Sequence, residues 1–593
     1  MNSSRFFGLM LGLMVLVAVS PPSVHAAACL SNVVNGLWSV STTWINCNDG
    51  TPQTGDTAQV QNGHIVTLDM DTFNVPITVD SGGVLEMSDS IDLGGSALTI
   101  NGTFRLNSGA IVQNATYIYN SGSTLNYNSG GLFNRGLEWS SGDPHHVQLS
   151  NSTSFDLSAS ALQTMTGDLI IDDGSTFLMG STNADLIVQG SVNIQGVLEL
   201  ATGTGNIQVG GNWLKAPTPA TEPYNFNHNG SAVIFNGNKT QTITAVIDST
   251  NDFFGQIVVT NGSDVIHNEK IGMALGLQVD TGSSFTPAFG AHFEQGTNNL
   301  SVLDCVGSCT FNRLIIRRLD ASGSTGIVDV NENFVIFNPD SIFVAPPAGA
   351  LFTIAGDLSN DSITGGIDFN NGTVQFDGGT TQMISGLGAN AFHNLVVTSG
   401  TTLVDSANTA VTVSGTFTNN GVFRRAETLA AVGSQGFGLT NVIMEVNSVT
   451  GFPQITVDRI DSDHPGATAA IAANSNRHWV ISDDAGGTFD VDLIFHDETL
   501  ANNVGQQTCR TGDGGVIWEC VADDDPAATI TRRNGVVAFS DWQNCGACGP
   551  TAVSLSAVRL SSHYPAQWLS LCLIMMLVFI TAYTQSKRSK WQN

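Results

Sequence analysis

Carboxylates are the most plentiful reactive groups in the chain. Glu86, Asp89 and Asp92 lie close together, as do Asp168, Asp172 and Asp173. Two carboxylates converging on one bond are what glycoside hydrolysis needs, one as acid and the other as base or nucleophile. Polysaccharide lysis would instead set a basic residue beside carboxylate-bound calcium, and Arg317 with Arg318 is the basic pair on offer. Aspartate also favours turns, where its side chain bonds nearby backbone, so the same spacing arises without chemistry. Two tighter acidic groups are candidates for structural calcium: Asp458, Asp461 and Asp463, and Asp523, Asp524 and Asp525. Both gather hard oxygen ligands in one loop, although neither has the EF-hand spacing. His145-His146 follows Asp143-Pro144 and is a metal candidate on residue type alone. No Gly-x-Ser-x-Gly elbow, His-Glu-x-x-His pair or Gly-Lys-Ser/Thr phosphate loop occurs. No catalytic residue and no cofactor other than structural calcium is therefore assigned.

Cysteines give a second set. Of nine, Cys572 lies in an apolar C-terminal stretch. The other eight fall into local pairs: Cys29 and Cys47, Cys305 and Cys309, Cys509 and Cys520, Cys545 and Cys548. An even, locally paired set predicts disulfides and an oxidising compartment. Cys545-Gly-Ala-Cys548 has zinc-ligand spacing but no second such pair near it in sequence.

Composition bounds what can position these groups. The 593 residues carry 20 Lys+Arg against 50 Asp+Glu, a formal net charge of −30, yet only 12% are charged and 64 are Gly. Few Lys and Glu argue against surface helices, and the missing basic footprint argues against nucleic acid as a partner. At 41% apolar the chain is not an acidic disordered tail. The expectation is an all-β protein.

The ends predict export. Residues 1–26 read as a signal peptide: Arg5, the apolar run from Phe6 to Val19, then small residues around Val24-His25-Ala26. Residues 568–584 read as a transmembrane or sorting helix, with an apolar run opening at Trp568 and closing at Tyr583. A linker, 559–567, precedes it. Lys587, Arg588 and Lys590 follow in a basic cytoplasmic tail, 585–593. The chain is thus expected in the cell envelope or at the cell surface, with the membrane as one partner.

Between the ends, residues 77–428 form a repeat region. Runs such as Ile77-Thr78-Val79, Leu98-Thr99-Ile100 and Thr103-Phe104-Arg105-Leu106 are separated by Gly, Asn, Asp and Ser. Val233-Ile-Phe235-Asn-Gly237-Asn-Lys-Thr-Gln241-Thr-Ile243 aligns with Val374-Gln-Phe376-Asp-Gly378-Gly-Thr-Thr-Gln382-Met-Ile384. Phe254-x-x-Ile257, Phe311-x-x-Leu314 and Phe392-x-x-Leu395 repeat a second half-unit. One such unit cannot bury its apolar side alone, so stacked turns of a solenoid are predicted. Residues 429–558, with strands near every ten residues, are expected to be a β-sandwich.

Trp38, Trp44, Pro52, Gly55-Asp56 and Gly63-His64-x-Val66-Thr67-Leu68-Asp69 resemble the opening of G8-type domains and related bacterial surface proteins. The resemblance implies that residues 27–76 open a right-handed parallel β-helix; a cap is expected, with Cys29 and Cys47 stapled around the two tryptophans. Thr124-Leu-Asn-Tyr127 through Arg135-Gly-Leu-Glu138-Trp139 resembles the same proteins. Phe539-Ser540-Asp541-Trp542 and Gly549-Pro550-Thr551-Ala552-Val553 resemble modules that precede the anchor in large bacterial surface proteins, which implies a stalk or presentation role. The expected function is an exported structural or adhesive protein whose β-helical rod meets glycans, matrix or other cells. The alternatives are a polysaccharide lyase or glycosidase on that scaffold, and a glycan-binding module using Trp139 or Trp213 as exposed aromatics.

Overall fold

The protein is described from a computed structural model. It covers residues 26–545 except 140–142, 159–160, 182, 218–223, 246–252, 289–292, 296–299, 365–366, 370, 407–410, 468–475, 498–506, 513–517 and 523–529. The expected signal peptide, the segment from Trp568 to Tyr583 and the basic tail lie outside the described residues. Among those described, no helix is long and apolar enough to cross a membrane.

The chain is all-β, and most of it is a parallel β-solenoid of about 16 turns. Strands of three to five residues alternate buried and half-exposed positions, as in Ile65–Leu68, Val84–Met87 and Ala97–Ile100. The period-2 pattern points every second side chain inward. Each strand pairs in parallel with its equivalent one turn on, so inward residues form columns. Leu85, Phe104, Leu125, Val147, Leu169, Val192, Trp213 and Ile243 are consecutive steps of one column. Met165, Val188, Val209, Phe235, Val259 and Val279 are steps of another. All belong to one continuous core.

The corners repeat as well. A four-residue turn recurs with glycine third and a small residue fourth. Ser123, Ser175, Ser263, Ser283 and Thr401 each donate their N–H to the carbonyl three residues back, at 3.0–3.1 Å. The glycine holds a left-handed conformation, φ +86° at Gly122 and +74° at Gly174, which other residues adopt at a cost. A second glycine lets turns nest: a Cβ on Gly196 would run into the Ser175 carbonyl of the turn below.

The long sequence repeat has a structural cause. The Gln241 side chain is fully buried; its Oε1 accepts the Gly237 N–H at 2.9 Å, and its Nε2 donates to the Val209 carbonyl at 2.9 Å and to that of Gly211. Gln382 does the same with Gly378, Ile354 and Gly356. Each glutamine closes its own corner and ties it to the preceding turn. Phe254, Phe311 and Phe392 are likewise buried.

At the N-terminal end, Ala28–Ser31 pairs in parallel with Thr57–Val60 but antiparallel with Trp44–Ile45, which covers the outer edge of the first turn. The Cys29–Cys47 disulfide and the edge-to-face pair of Trp38 and Trp44, 4.9 Å apart, hold that strand in place. Parallel pairing runs through residue 76 without a break, Ala58 to Ile77 and Val60 to Val79. The capping segment is therefore the first part of the coil.

At the other end the strand direction reverses. Val422–Thr428 pairs in parallel with Thr402–Asp405 and antiparallel with Gln454–Ile460. Two antiparallel sheets follow. One holds Gly433–Gly436, Val442–Gly451, Gly487–His496 and Ile530–Val536. The other continues from Gln454–Ile460 through His478–Asp483, Asp541–Cys545 and Gln507–Thr511 to Glu519–Ala522. Residues from both form one core, including Met444, Leu493, Phe495, Trp479 and Trp542.

Replacing Gln241 with Leu removes the side-chain partner of the Gly237 N–H and of the Gly211 carbonyl and one of two donors to the Val209 carbonyl, a loss of about 1–3 kcal/mol. Gln382→Leu should cost about the same, while Thr57→Ala on the exposed outer surface should change stability by less than about 0.5 kcal/mol. Urea unfolding of the three variants checks this; equal effects at all three positions would remove the structural role given to the buried glutamines.

Candidate functional site

Four of the candidate rod carboxylates are held one by one. Glu86 accepts from Thr67 Oγ1 at 3.0 Å and pairs with Arg105, 3.3 Å away on the next turn. Asp92 accepts the Gly94 N–H at 2.8 Å and binds the Asn114 amide with both oxygens. Asp168 accepts the Ser191 N–H at 2.7 Å, and Asp172 accepts from Gln148 at 2.8 Å. Each serves a turn or a ladder between turns. The Arg317 guanidinium lies over the Phe337 ring at 4.9 Å. The Asp168 N–H donates to His146 Nδ1 at 2.9 Å. Burial and the neighbouring His146 hold His145 below its ordinary value.

Trp139 and Trp213 are buried, against the expectation of exposed aromatics. Trp139 stacks near Phe155 and donates its indole N–H to the Thr164 carbonyl at 2.9 Å. Trp213 stands in an inward column beside Phe226 and Phe254. In a strand, a large aromatic with small polar neighbours marks the inward face as readily as a binding face.

Beside Trp139 lies a group that residue spacing did not single out. Glu138 is buried in the rod. Its Oε1 accepts from the Tyr127 hydroxyl at 2.9 Å and the Gly136 N–H at 2.8 Å, and its backbone carbonyl accepts from Tyr119. Burial pushes its carboxyl above the ordinary range, with hydrogen bonds to Gly136 and Tyr127 opposing. Burial also pushes Tyr117, Tyr119 and Tyr127 upward. A lone glutamate flanked by tyrosines, in a chain so poor in charge, was the available signal. Enclosed in the rod, this cluster specifies the packing of turns.

The last domain gathers most of the arginine ion pairs. Arg424 faces Asp458 across two antiparallel strands and binds both its oxygens, at 2.6 and 2.7 Å. Asp461 is shared by Arg459, at 2.8 Å to each oxygen, and Arg477, at 2.7 Å. Asp463 accepts from the Gln543 amide at 3.1 Å. The three carboxylates thus face three different partners. Asp523, Asp524 and Asp525 lie outside the described residues. Burial raises Asp461, but the hydrogen bonds and charges of Arg459 and Arg477 outweigh it and hold the carboxyl below the ordinary range.

One face of the second antiparallel sheet concentrates groups of another kind. His464 Nε2 is 2.9 Å from Asp541, and its ring meets His478 and Trp518 edge-on at 5.1 and 5.2 Å. Burial lowers the His478 imidazole despite its 2.7 Å bond to the Ser462 carbonyl. Within the Phe539-to-Trp542 motif, Phe539 stacks on Phe489 at 4.4 Å and Trp542 is buried near Phe495. The disulfides Cys29–Cys47, Cys305–Cys309 and Cys509–Cys520 are formed. Cys545 Sγ lies 2.7 Å from Cys509 Sγ; Cys548, its expected partner, lies outside the described residues. Among the described residues, Cys509, Cys520 and Cys545 are the group whose ligand atoms could hold a metal ion.

No family model, curated protein or solved structure matches the chain, so the functional reading rests on this geometry.

The two displaced carboxyls predict opposite pH effects. The folded state holds the Glu138 proton more tightly than the unfolded state. Its contribution is full below the ordinary carboxylate value and is lost as pH rises through the raised one. Asp461 contributes above about pH 4 and loses that contribution as pH falls through its lowered value. Thermal melts across pH should therefore show Glu138→Gln flattening only the first limb and Asp461→Asn only the second. Asp461→Ala, which removes the carboxylate shared by the buried Arg459 and Arg477, should cost about 3 kcal/mol at neutral pH.

Proposed function

We propose that this is an exported cell-surface protein with a structural or adhesive role. Its coil is a right-handed β-helix opened by a G8-like segment at residues 27–76. The rod carries a C-terminal β-sandwich at 429–558, and the segment from Trp568 to Tyr583 tethers it to the membrane. The observation that carries the proposal is a continuous parallel coil braced by disulfides at its capped start, along its length and in the last domain. Such bonds persist in oxidising compartments. A stacked coil offers a long, regular surface suited to glycans, matrix or other cells, and its acidic balance keeps it soluble and disfavours nucleic acid.

No catalysis is part of this role. Glu86, Asp92, Asp168 and Asp172 are engaged in turns and ladders rather than opposed across a bond, which weighs against a lyase or glycosidase. With Asp458 and Asp461 taken up by arginines, structural calcium would fall to Asp523, Asp524 and Asp525.

Labelling of intact cells expressing the full chain should reach the rod, and removing residues 568–593 should release it to the medium. Labelling only after lysis, or depolymerisation of a polysaccharide by the purified protein, would contradict the proposal.

A further inference from the structure

The rod is interrupted on one side. There the sheet of the first turns ends at Thr116–Tyr119, which among the described residues pairs only with Ala97–Ile100. The corresponding sheet of the later turns starts at Gln163–Met165, which pairs only with Leu186–Val188. The neighbouring sheet runs on without a break, Thr124–Asn128 pairing with both Thr103–Asn107 and His146–Leu149. In the turn between the two sheet ends, residues 135–139 pass through the gap and form no strand.

Side chains do the bridging there in place of a backbone ladder. Arg135 donates to the Leu157 carbonyl at 3.1 Å and to Gln163 Oε1 at 3.2 Å. The Tyr119 hydroxyl donates to the Glu138 carbonyl, and the Trp139 indole N–H to the Thr164 carbonyl, both at 2.9 Å. Leu137 is exposed, so Trp139 is the one apolar side chain that this segment buries. Behind it stand Tyr127, Phe133 and Phe155, with the Tyr127 ring 5.0 Å from Phe133 and 4.3 Å from Phe155. Glu138 points into this aromatic group, its Oε1 held by the Tyr127 hydroxyl and the Gly136 N–H.

We infer that residues 135–139 are a pH-gated latch: with Glu138 protonated they close the gap between the two sheets, and with Glu138 ionised they swing out and admit water to the aromatic group behind them. A charge buried without a close counter-charge is costly. The groups that face Glu138 from the packed strands are Tyr117 and Tyr119 on the edge of the first sheet and Tyr127 on the neighbouring one. Burial holds all three phenols above their ordinary value, so they stay neutral. The positive charge nearby is Arg135, whose guanidinium is turned to Leu157 and Gln163. Oε1 already accepts two hydrogen bonds, which leaves the other oxygen to carry the proton. Closing the gap therefore takes up a proton and opening releases it. No strand pairing is lost on opening, so the event is local.

The test is hydrogen–deuterium exchange of the full-length protein between about pH 5 and about pH 9, each rate divided by the intrinsic rate at that pH. Protection of residues 135–139 should fall by up to about tenfold per pH unit above the ordinary glutamate value of about 4.3. It should level off once the enclosed carboxyl has ionised. Leu186–Val188 and Val192–Ile194, further along the rod, should keep their protection. Glu138→Gln, which keeps the shape and the acceptor but cannot ionise, should stay protected throughout. Tyr127→Phe removes a donor that steadies the carboxylate, so its protection should go on falling to a higher pH than in the parent. Protection of residues 135–139 that does not change with pH in the parent would overturn the inference. So would an equal fall in the two control strands, or the same fall in Glu138→Gln.

Discussion

Every turn of a parallel coil must present its backbone donors and acceptors to the next turn at the same spacing, about 4.8 Å. That constraint governs the rest of the molecule. A corner that bulged by one residue would move the following strand out of register and turn its apolar side chains outward. The corners are therefore standardised: a left-handed glycine, a small buried residue and one hydrogen bond across the turn. Where a corner is wider, as at Gln241 and Gln382, a buried amide supplies the missing partners. Lysine and glutamate are scarce because buried corners have little room for long charged chains.

The constraint ends where the strand direction reverses. Val422–Thr428 has a parallel neighbour on one edge and an antiparallel neighbour on the other. Arg425 reaches back from this strand to the buried Asp405 at 2.6 Å, and Arg424 reaches forward to Asp458. The junction is thus fastened by charge on both sides, in contrast to the amide and hydroxyl ladders of the rod. Asp461, Arg459 and Arg477 extend this charged layer into the last domain.

Features that depend on periodicity were readable from the sequence: the stacked strands, the aligned Gln241 and Gln382 units, the recurrent buried phenylalanines and the local disulfides. The glycine-then-serine corner was equally readable in Gly122-Ser123, Gly174-Ser175 and Gly282-Ser283. Features that depend on distant pairing were not. Asp458 looks like a calcium ligand until Arg424 appears across the sheet from it, 34 residues away. Trp213 looks like a binding aromatic until its column is known. The three cysteines form one cluster only through a register that joins strands 36 residues apart.

Most of the chain is a single extended coil joined to a smaller domain. Small-angle X-ray scattering of the soluble region measures this most directly. About 16 turns at about 4.8 Å per turn give a rod of roughly 75–80 Å before the last domain is added. A rod-like distance distribution with a maximum dimension beyond that length is expected. A symmetric distribution with a radius of gyration near 23 Å, the value for a compact domain of about 500 residues, would contradict it.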